Sequence, residues 1–260
     1  MKAVYWLTHE KLLPWYLPIV GLVLWQIAID SAWIDPQQWV SPMAVVKTFF
    51  ISIQAPEFWT GIALSLGRFF SGLFIGGVLG ILFGIGLARS NVFSVLLGPS
   101  FNLLRQISLF AWIPLLSVYL GYTDLSKITF VALACFYPIA LNTYEGVNSI
   151  PKRFFEAARV YELTGKSYWL RFIFPAASQR IYTGIQLGVI YAWLGTVGAE
   201  FLLRSFGSYG ISDTLINGRT AYVVDQIILG TVLIGVMGFA LNRVVESVEK
   251  HQLRWLPTQP

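Results

Sequence analysis

Apolar residues come along this chain in long blocks instead of at amphipathic spacing. Six blocks, at residues 12–29, 62–88, 101–120, 126–147, 181–203 and 224–245, approach or exceed the roughly 20 residues with which a helix crosses the ~30 Å hydrocarbon core. The pattern predicts an all-α, polytopic membrane bundle of about six transmembrane helices. The segment 43–55, aliphatic with Lys47 as its only charge, is expected as a helix along the membrane surface or as a plain loop. The stretch 92–120 is too long for one crossing at about 1.5 Å per residue, and Gly98-Pro99 offers a break, so a short cytoplasmic helix is expected before the third span. Pro114 is expected to kink that span, either as a mobile cavity-lining element or as a static bend.

Composition agrees with the blocks. Of 260 residues 56% are hydrophobic and only 12% charged, about half the charged fraction of a soluble domain, which excludes an ordinary soluble enzyme. The net charge of +5 does not point to nucleic acid, because the basic residues lie in short loops as orientation signals. Twelve fall on the side of the amino terminus and four on the other, so both termini are expected in the cytoplasm of a prokaryotic cell, inside its inner membrane. Trp15, Trp33, Trp39 and Trp59 mark interfaces around the first two spans. Cys135, the single cysteine, excludes an internal disulfide, while His9 and His251 lie near opposite ends, leaving no metal or histidine-based catalytic constellation. The organisation expected is an amino-terminal span with its outer segment (1–61), a transmembrane domain (62–245) and a cytoplasmic tail (246–260).

Two internal patterns concern packing. Gly72, Gly76, Gly80 and Gly84, and likewise Gly184, Gly188 and Ala192, recur every four residues and let helices approach closely, within one subunit or between two. The first row drifts by about 120° and so is able to meet more than one neighbour. Four ionisable residues fall inside spans: Arg68 and Glu200 toward the outer ends, Arg105 and Glu145 toward the inner ends. Each either snorkels to its nearer interface or pairs with its equal in depth.

The connection 148–179 is the longest cytoplasmic loop and carries five of the twelve cytoplasmic basic residues. Pro151 suits a helix start, 152–163 a helix, Thr164-Gly165 its stop, and Ser167 the cap of a second short helix ending before Pro175. This makes a helical hairpin. Within it, Glu156-Ala157-Ala158, Gly165 and Phe172-Ile173-Phe174-Pro175 resemble the EAA loop of ABC importer permeases, in which Glu-Ala-Ala is followed after three residues by Gly and after nine more by Ile-x-Leu-Pro. Glu162 stands at the family glycine, Phe172 at the isoleucine and Phe174 at the leucine, while Gly165 matches a second glycine of sulfonate-type permeases. Further matches run through Arg105, Ile113-Pro114, Gly121, Ser126-Lys127, Asn142-Thr143 and Ala199-Glu200 to Leu253-Arg254-Trp255, so the chain resembles the permease subunit of the sulfonate, nitrate and taurine importers.

That resemblance implies a pair of permease copies forming the pathway, a cytoplasmic ABC ATPase dimer that receives loop 148–179 and uses ATP with Mg, and an extracytoplasmic substrate-binding protein. Glu156, Ala157, Ala158, Glu162, Gly165 and Pro175 become the candidate ATPase-coupling residues. Arg105, Trp112, Asn142, Trp193 and Glu200 are the candidate pathway residues, offering an anion a cation, donors and aromatic walls, although each also reads as packing or interfacial. Gly165-Lys166-Ser167 imitates the end of a phosphate-binding loop, but Val160 occupies the earlier glycine position, so no cofactor is expected in this chain. The rivals are a stand-alone secondary transporter, disfavoured by the lack of a mid-membrane carboxylate, a membrane-embedded enzyme, for which no constellation exists, and an importer of a vitamin precursor.

Overall fold

The computed structural model describes the backbone of residues 2–31, 33, 39–204 and 209–252, with side chains from Tyr16 to Glu249 within those limits. The side chains of Trp15, His9, Lys2, Lys11, Lys250 and most of the tail, and the Leu253-Arg254-Trp255 match, lie outside the described residues. The described chain is helical, with no strand: α1 (Lys2–Asp30), α2 (Pro42–Ser52), α3 (Pro56–Arg89), α4 (Asn91–Leu104), a 3-10 turn (Leu109–Trp112) leading into α5 (Ile113–Leu120), α6 (Asp124–Asn148), α7 (Lys152–Val160), α8 (Gly165–Tyr168), α9 (Phe174–Leu202), α10 (Asp213–Ala221) and α11 (Val224–Gln252). Four runs are long and apolar enough to cross a membrane, namely α3, α6, Gly165–Leu202 and Val224–Glu249, and the bent pair α4 with Leu109–Leu120 is a fifth. The 29-residue α1 has sufficient length to be the sixth.

Helix starts follow local chemistry. Ser41 accepts from the Ala44 N–H ahead of Pro42, Ser90 accepts from Phe93 N–H, and Thr123 with Ser126 forms a capping box at α6. Segment 43–55 is thus mostly helix, with no buried residue, as the surface-helix alternative requires. Two expectations for the third span are corrected. The helix passes through Pro99 and breaks instead after Leu104, where α4 and the following run are bent by 99°. Pro114 lies in the first turn of α5, where its missing N–H has no intrahelical partner to lose, so it opens a helix and does not kink one.

The residues divide into two compact units, one of Met1–Gly61 with Ile211–Leu233, the other of Ile62–Gly210 with Ile234–Pro260. In the first, Gln26 accepts from the Met43 amide at 3.3 Å, and the Thr48 hydroxyl donates to Asp225. Trp33, Trp39 and Trp59 are all largely exposed there.

In the second unit α6 packs against both α3 and α9. A Cβ on Gly72, Gly76, Gly80 or Gly84 would meet Val131, Cys135, Ile139 or Thr143 respectively, all on α6. Gly184 and Gly188 press on its Ile139, and Gly195 on Ala134. The drifting row of α3 therefore serves one neighbour in the same subunit, because a helix that crosses obliquely follows the inclined i, i+4 ridge. Large apolar side chains on the outward faces, such as Phe74 and Val118, remain exposed, as a lipid-facing surface requires.

Candidate functional site

The hairpin after α6 is built by its turn. Pro151 precedes α7, and α7 ends with the Glu162 N–H on the Arg159 carbonyl and the Leu163 N–H on the Ala158 carbonyl, both at 3.0 Å. This is a Schellman closure. Its left-handed residue is Glu162, at φ +50°, where glycine is the usual occupant. The expected stop at Thr164-Gly165 is corrected: the helix ends earlier, and Gly165, at φ +52°, opens α8. The helical run that α8 opens does not stop before Pro175. It continues through a wide π turn, Trp169–Ile173, into α9, whose first turn holds Pro175. A π turn accommodates the proline, which brings no N–H and crowds the carbonyl four residues earlier. Glu162→Gly is expected to stabilise the hairpin by about 1 kcal/mol, the cost of a side chain in the left-handed region. Slower hydrogen exchange at the Leu163 amide would show it, and unchanged exchange would contradict it.

α7 has an inner and an outer face. Ala158 is 4% exposed, and Phe155 packs on the cluster containing Ile173 and stacks edge-on against Phe172 at 5.2 Å. Arg89, the last residue of α3, lies over the rings of Phe155 and Tyr168 and donates to the Tyr168 hydroxyl at 3.0 Å. Glu156, Ala157, Val160 and Tyr161 point outward, the last two 81% and 78% exposed. Ala158 therefore packs within the chain and is not on the exposed face of α7. Its small size serves contact within the chain, whereas Ala157 is exposed. Gly165-Lys166-Ser167 follows a helix and a turn, without the strand a phosphate-binding loop needs.

A second feature lies at the break after α4. A cavity of about 330 Å³ is lined by Arg105, Gln106, Trp112, Tyr137, Leu141 and Tyr191, among others. Tyr137 and Leu141, which share this cavity with Arg105, lie toward the middle of α6. Among the described residues the Arg105 guanidinium meets no carboxylate, and the Trp112 indole N–H is covered yet has no partner. Leu141 also lines a cavity of about 240 Å³ beside α4, with Ser94 and Asn102.

The remaining pathway candidates are held elsewhere. Asn142 donates to the Pro138 carbonyl at 2.8 Å and packs beside Gly184. Trp193 donates to the Ile234 carbonyl at 3.0 Å and meets Phe69 edge-on. Glu200 belongs to a buried ionic cluster: Arg68 reaches it at 3.0 Å and Asp124 at 2.8 Å, donates to the Tyr209 carbonyl at 2.9 Å, and Ser65 donates to Glu200. Lys127 is buried beside Asp124 at 3.7 Å. Arg68 and Glu200 are thus paired, as their equal depth allowed, but Arg105 and Glu145 are not. Glu145 faces Arg180 at 3.8 Å, both about half exposed, a contact of small energetic weight. Ser65, Asp124 and Arg89 were missed. The one-turn spacing of Ser65 and Arg68 was a weak signal for the first; nothing local announced the others.

Residues 76–256 match the family model described as the binding-protein-dependent transport system inner membrane component. The chain belongs to this family. The permease is 30% identical over 247 residues to the putative aliphatic sulfonates transport permease protein of Escherichia coli (strain K12), covering 95% of this chain and 93% of that protein. It is 32% identical over 197 residues to the bicarbonate transport system permease protein of Synechococcus elongatus, covering 76% and 70%. A solved structure, titled a crystal structure of an amino acid ABC transporter with histidines, matches in fold with a TM-score of 0.61 at 16% identity, over 82% of this chain and 99% of that one. The chain is therefore a multi-pass inner membrane permease subunit of an ABC importer, not itself an enzyme, and the ATPase is a separate subunit.

Proposed function

We propose that this permease carries a small oxyanion inward, in the sulfonate, nitrate, taurine and bicarbonate class, and that hairpin 148–179 couples the movement to ATP and Mg used in a cytoplasmic ATPase dimer. Two permease copies enclose the path, a binding protein supplies the solute from outside, and both termini face the cytoplasm. The observation that carries the coupling is the two-sided α7. Its inner face is clamped by Arg89, Phe155 and Ala158 to the ends of α3 and α9, so that displacement of the outer face is passed to two spans. That outer face, Glu156, Ala157, Val160 and Tyr161, offers exposed apolar area on an aqueous loop, the character of a docking surface. The anion class is supported by the relatives, whose names specify sulfonates and bicarbonate, two solutes that share an oxygen-bearing negative group.

The test uses inside-out vesicles stripped of the ATPase, with binding protein and solute trapped in the lumen. Purified ATPase added outside is expected to restore solute-stimulated hydrolysis, and Tyr161→Asp or Glu156→Lys to reduce it about tenfold or more, as loss of a buried interface anchor does. Restoration only in right-side-out vesicles would reverse the orientation. Wild-type coupling in both variants would refute the docking face, and stimulation by a neutral or cationic metabolite alone would refute the anion class.

A further inference from the structure

We propose that Arg89 braces the joint between the hairpin and α9, so that a push on the outer face of α7 moves the inner ends of α3 and α9 together. Arg89 is then a positioning residue of the coupling step, a role that rests on the coupling reading of hairpin 148–179 above. The joint is the π turn Trp169–Ile173, across which the Phe174 N–H reaches back five residues to the Trp169 carbonyl. Pro175 follows and offers no N–H of its own. A π turn set into a helical run is a place where the axis bends, and with a donor missing beside it this one is compliant. Left unbraced, it would absorb a displacement of the hairpin before α9 felt it.

Side chains close the joint from outside. Tyr168 stands just before the π turn and Phe172 within it, and their ring centroids lie 5.5 Å apart. Phe155 of α7 meets the Phe172 ring edge-on at 5.2 Å, so the rings tie α7 to the turn. Arg89 covers two of the three: its Cζ lies 5.2 Å from the Phe155 centroid and 5.7 Å from that of Tyr168, and its Nη2 donates to the Tyr168 hydroxyl at 3.0 Å. The arginine is itself held, because α3 ends there and the next residue, Ser90, caps α4. Ile81, Ile85 and Ala88 of α3 pack on the same cluster as Phe155, but apolar contact is non-directional and permits sliding. A planar guanidinium laid on rings and fixed by a hydrogen bond sets position and angle together, which a lysine ammonium does not reproduce.

The permease–ATPase complex in nanodiscs, with spin labels at the exposed Lys152→Cys on α7 and Gln179→Cys on α9 while Cys135 stays buried, provides a test that needs no solute. The distance between the labels is expected to stay narrowly distributed with and without ATP, and to broaden on ATP addition in Arg89→Gln. In the stripped inside-out vesicles, Arg89→Gln should lower the maximal stimulated hydrolysis about fivefold, the scale of an exposed cation–π contact, at an unchanged half-saturating ATPase concentration. Tyr161→Asp should instead raise that concentration. Arg89→Lys is expected to restore only part of the loss, and Tyr168→Phe, which keeps the ring without the hydroxyl, to cost about twofold. Full recovery in Arg89→Lys would reduce the residue to a loop charge and overturn the brace. If Arg89→Gln does not assemble, Tyr168→Leu, which leaves the arginine in place, must broaden the labels in the same way or the brace is wrong. Unchanged labels in Arg89→Gln, with hydrolysis still impaired in Tyr161→Asp, would refute the brace and leave the coupling reading. Wild-type hydrolysis in both variants would refute the coupling reading and the brace with it.

Discussion

Replacing Arg68 by leucine is expected to destabilise the folded permease by about 3–5 kcal/mol, the cost of breaking a buried ion pair by removing one of its members. Glu200 is 4% exposed, and its position is closed on another side by Gly210, where a Cβ would come within 2.5 Å of the carboxylate carbon. Asp124, 56% exposed, would instead re-solvate. Arg68→Leu combined with Glu200→Leu should therefore recover much of the loss, and thermal unfolding of the four members of the cycle measures the difference. Additive losses would mean that the 3.0 Å contact carries no net coupling and that the two side chains act separately.

Adjacent glycines on α3 should respond in opposite ways. A Cβ on Gly76 would lie 2.5 Å from the Cys135 sulfur and against the Ala132 carbonyl, a backbone group that cannot move aside without shifting α6. Gly76→Ala is expected to cost about 2–3 kcal/mol through overpacking. At Gly77 the nearest atom is Ile139 Cδ1 at 3.7 Å, an ordinary contact, so Gly77→Ala should be neutral or stabilise by up to about 1 kcal/mol through helix propensity. Equal effects in an unfolding assay would contradict the placement of the α3 ridge on α6.

Much of this protein was legible in one dimension because lipid imposes a one-dimensional rule: a crossing needs a long apolar run, and every loop between runs is free to carry its own signal. Block length was enough for the helical membrane class, and the hairpin was visible because Pro151 and the Glu156-Ala157-Ala158 segment stand in the longest basic loop. Relationship to the importer permeases was visible for the same reason. Packing was less so. The four-residue glycine spacing announced a close helix contact, but its partner α6 is more than 50 residues away and shares no local mark with it.

The functional details that changed were those decided by three-dimensional neighbours. Ala157 and Ala158 are adjacent and chemically identical, yet one is exposed and the other buried, because the 100° step between them turns Ala158 toward α3 and α9. Glu162 takes the left-handed position because the hydrogen bonds of Leu163 and its own N–H fix that geometry, whichever residue the sequence supplies there. Arg105 stands near the start of the third apolar block, and the 99° bend after Leu104 sets it beside Tyr137 and Leu141 of α6. Sequence by itself determined the membrane class, the helix-forming segments and the family, since apolar run length, capping residues and loop motifs are local. The ionic partner of Arg68, the neighbour of each glycine row, the outward face of α7 and the residues that share a cavity with Arg105 were decided only in the tertiary structure, because each depends on where a distant helix lies.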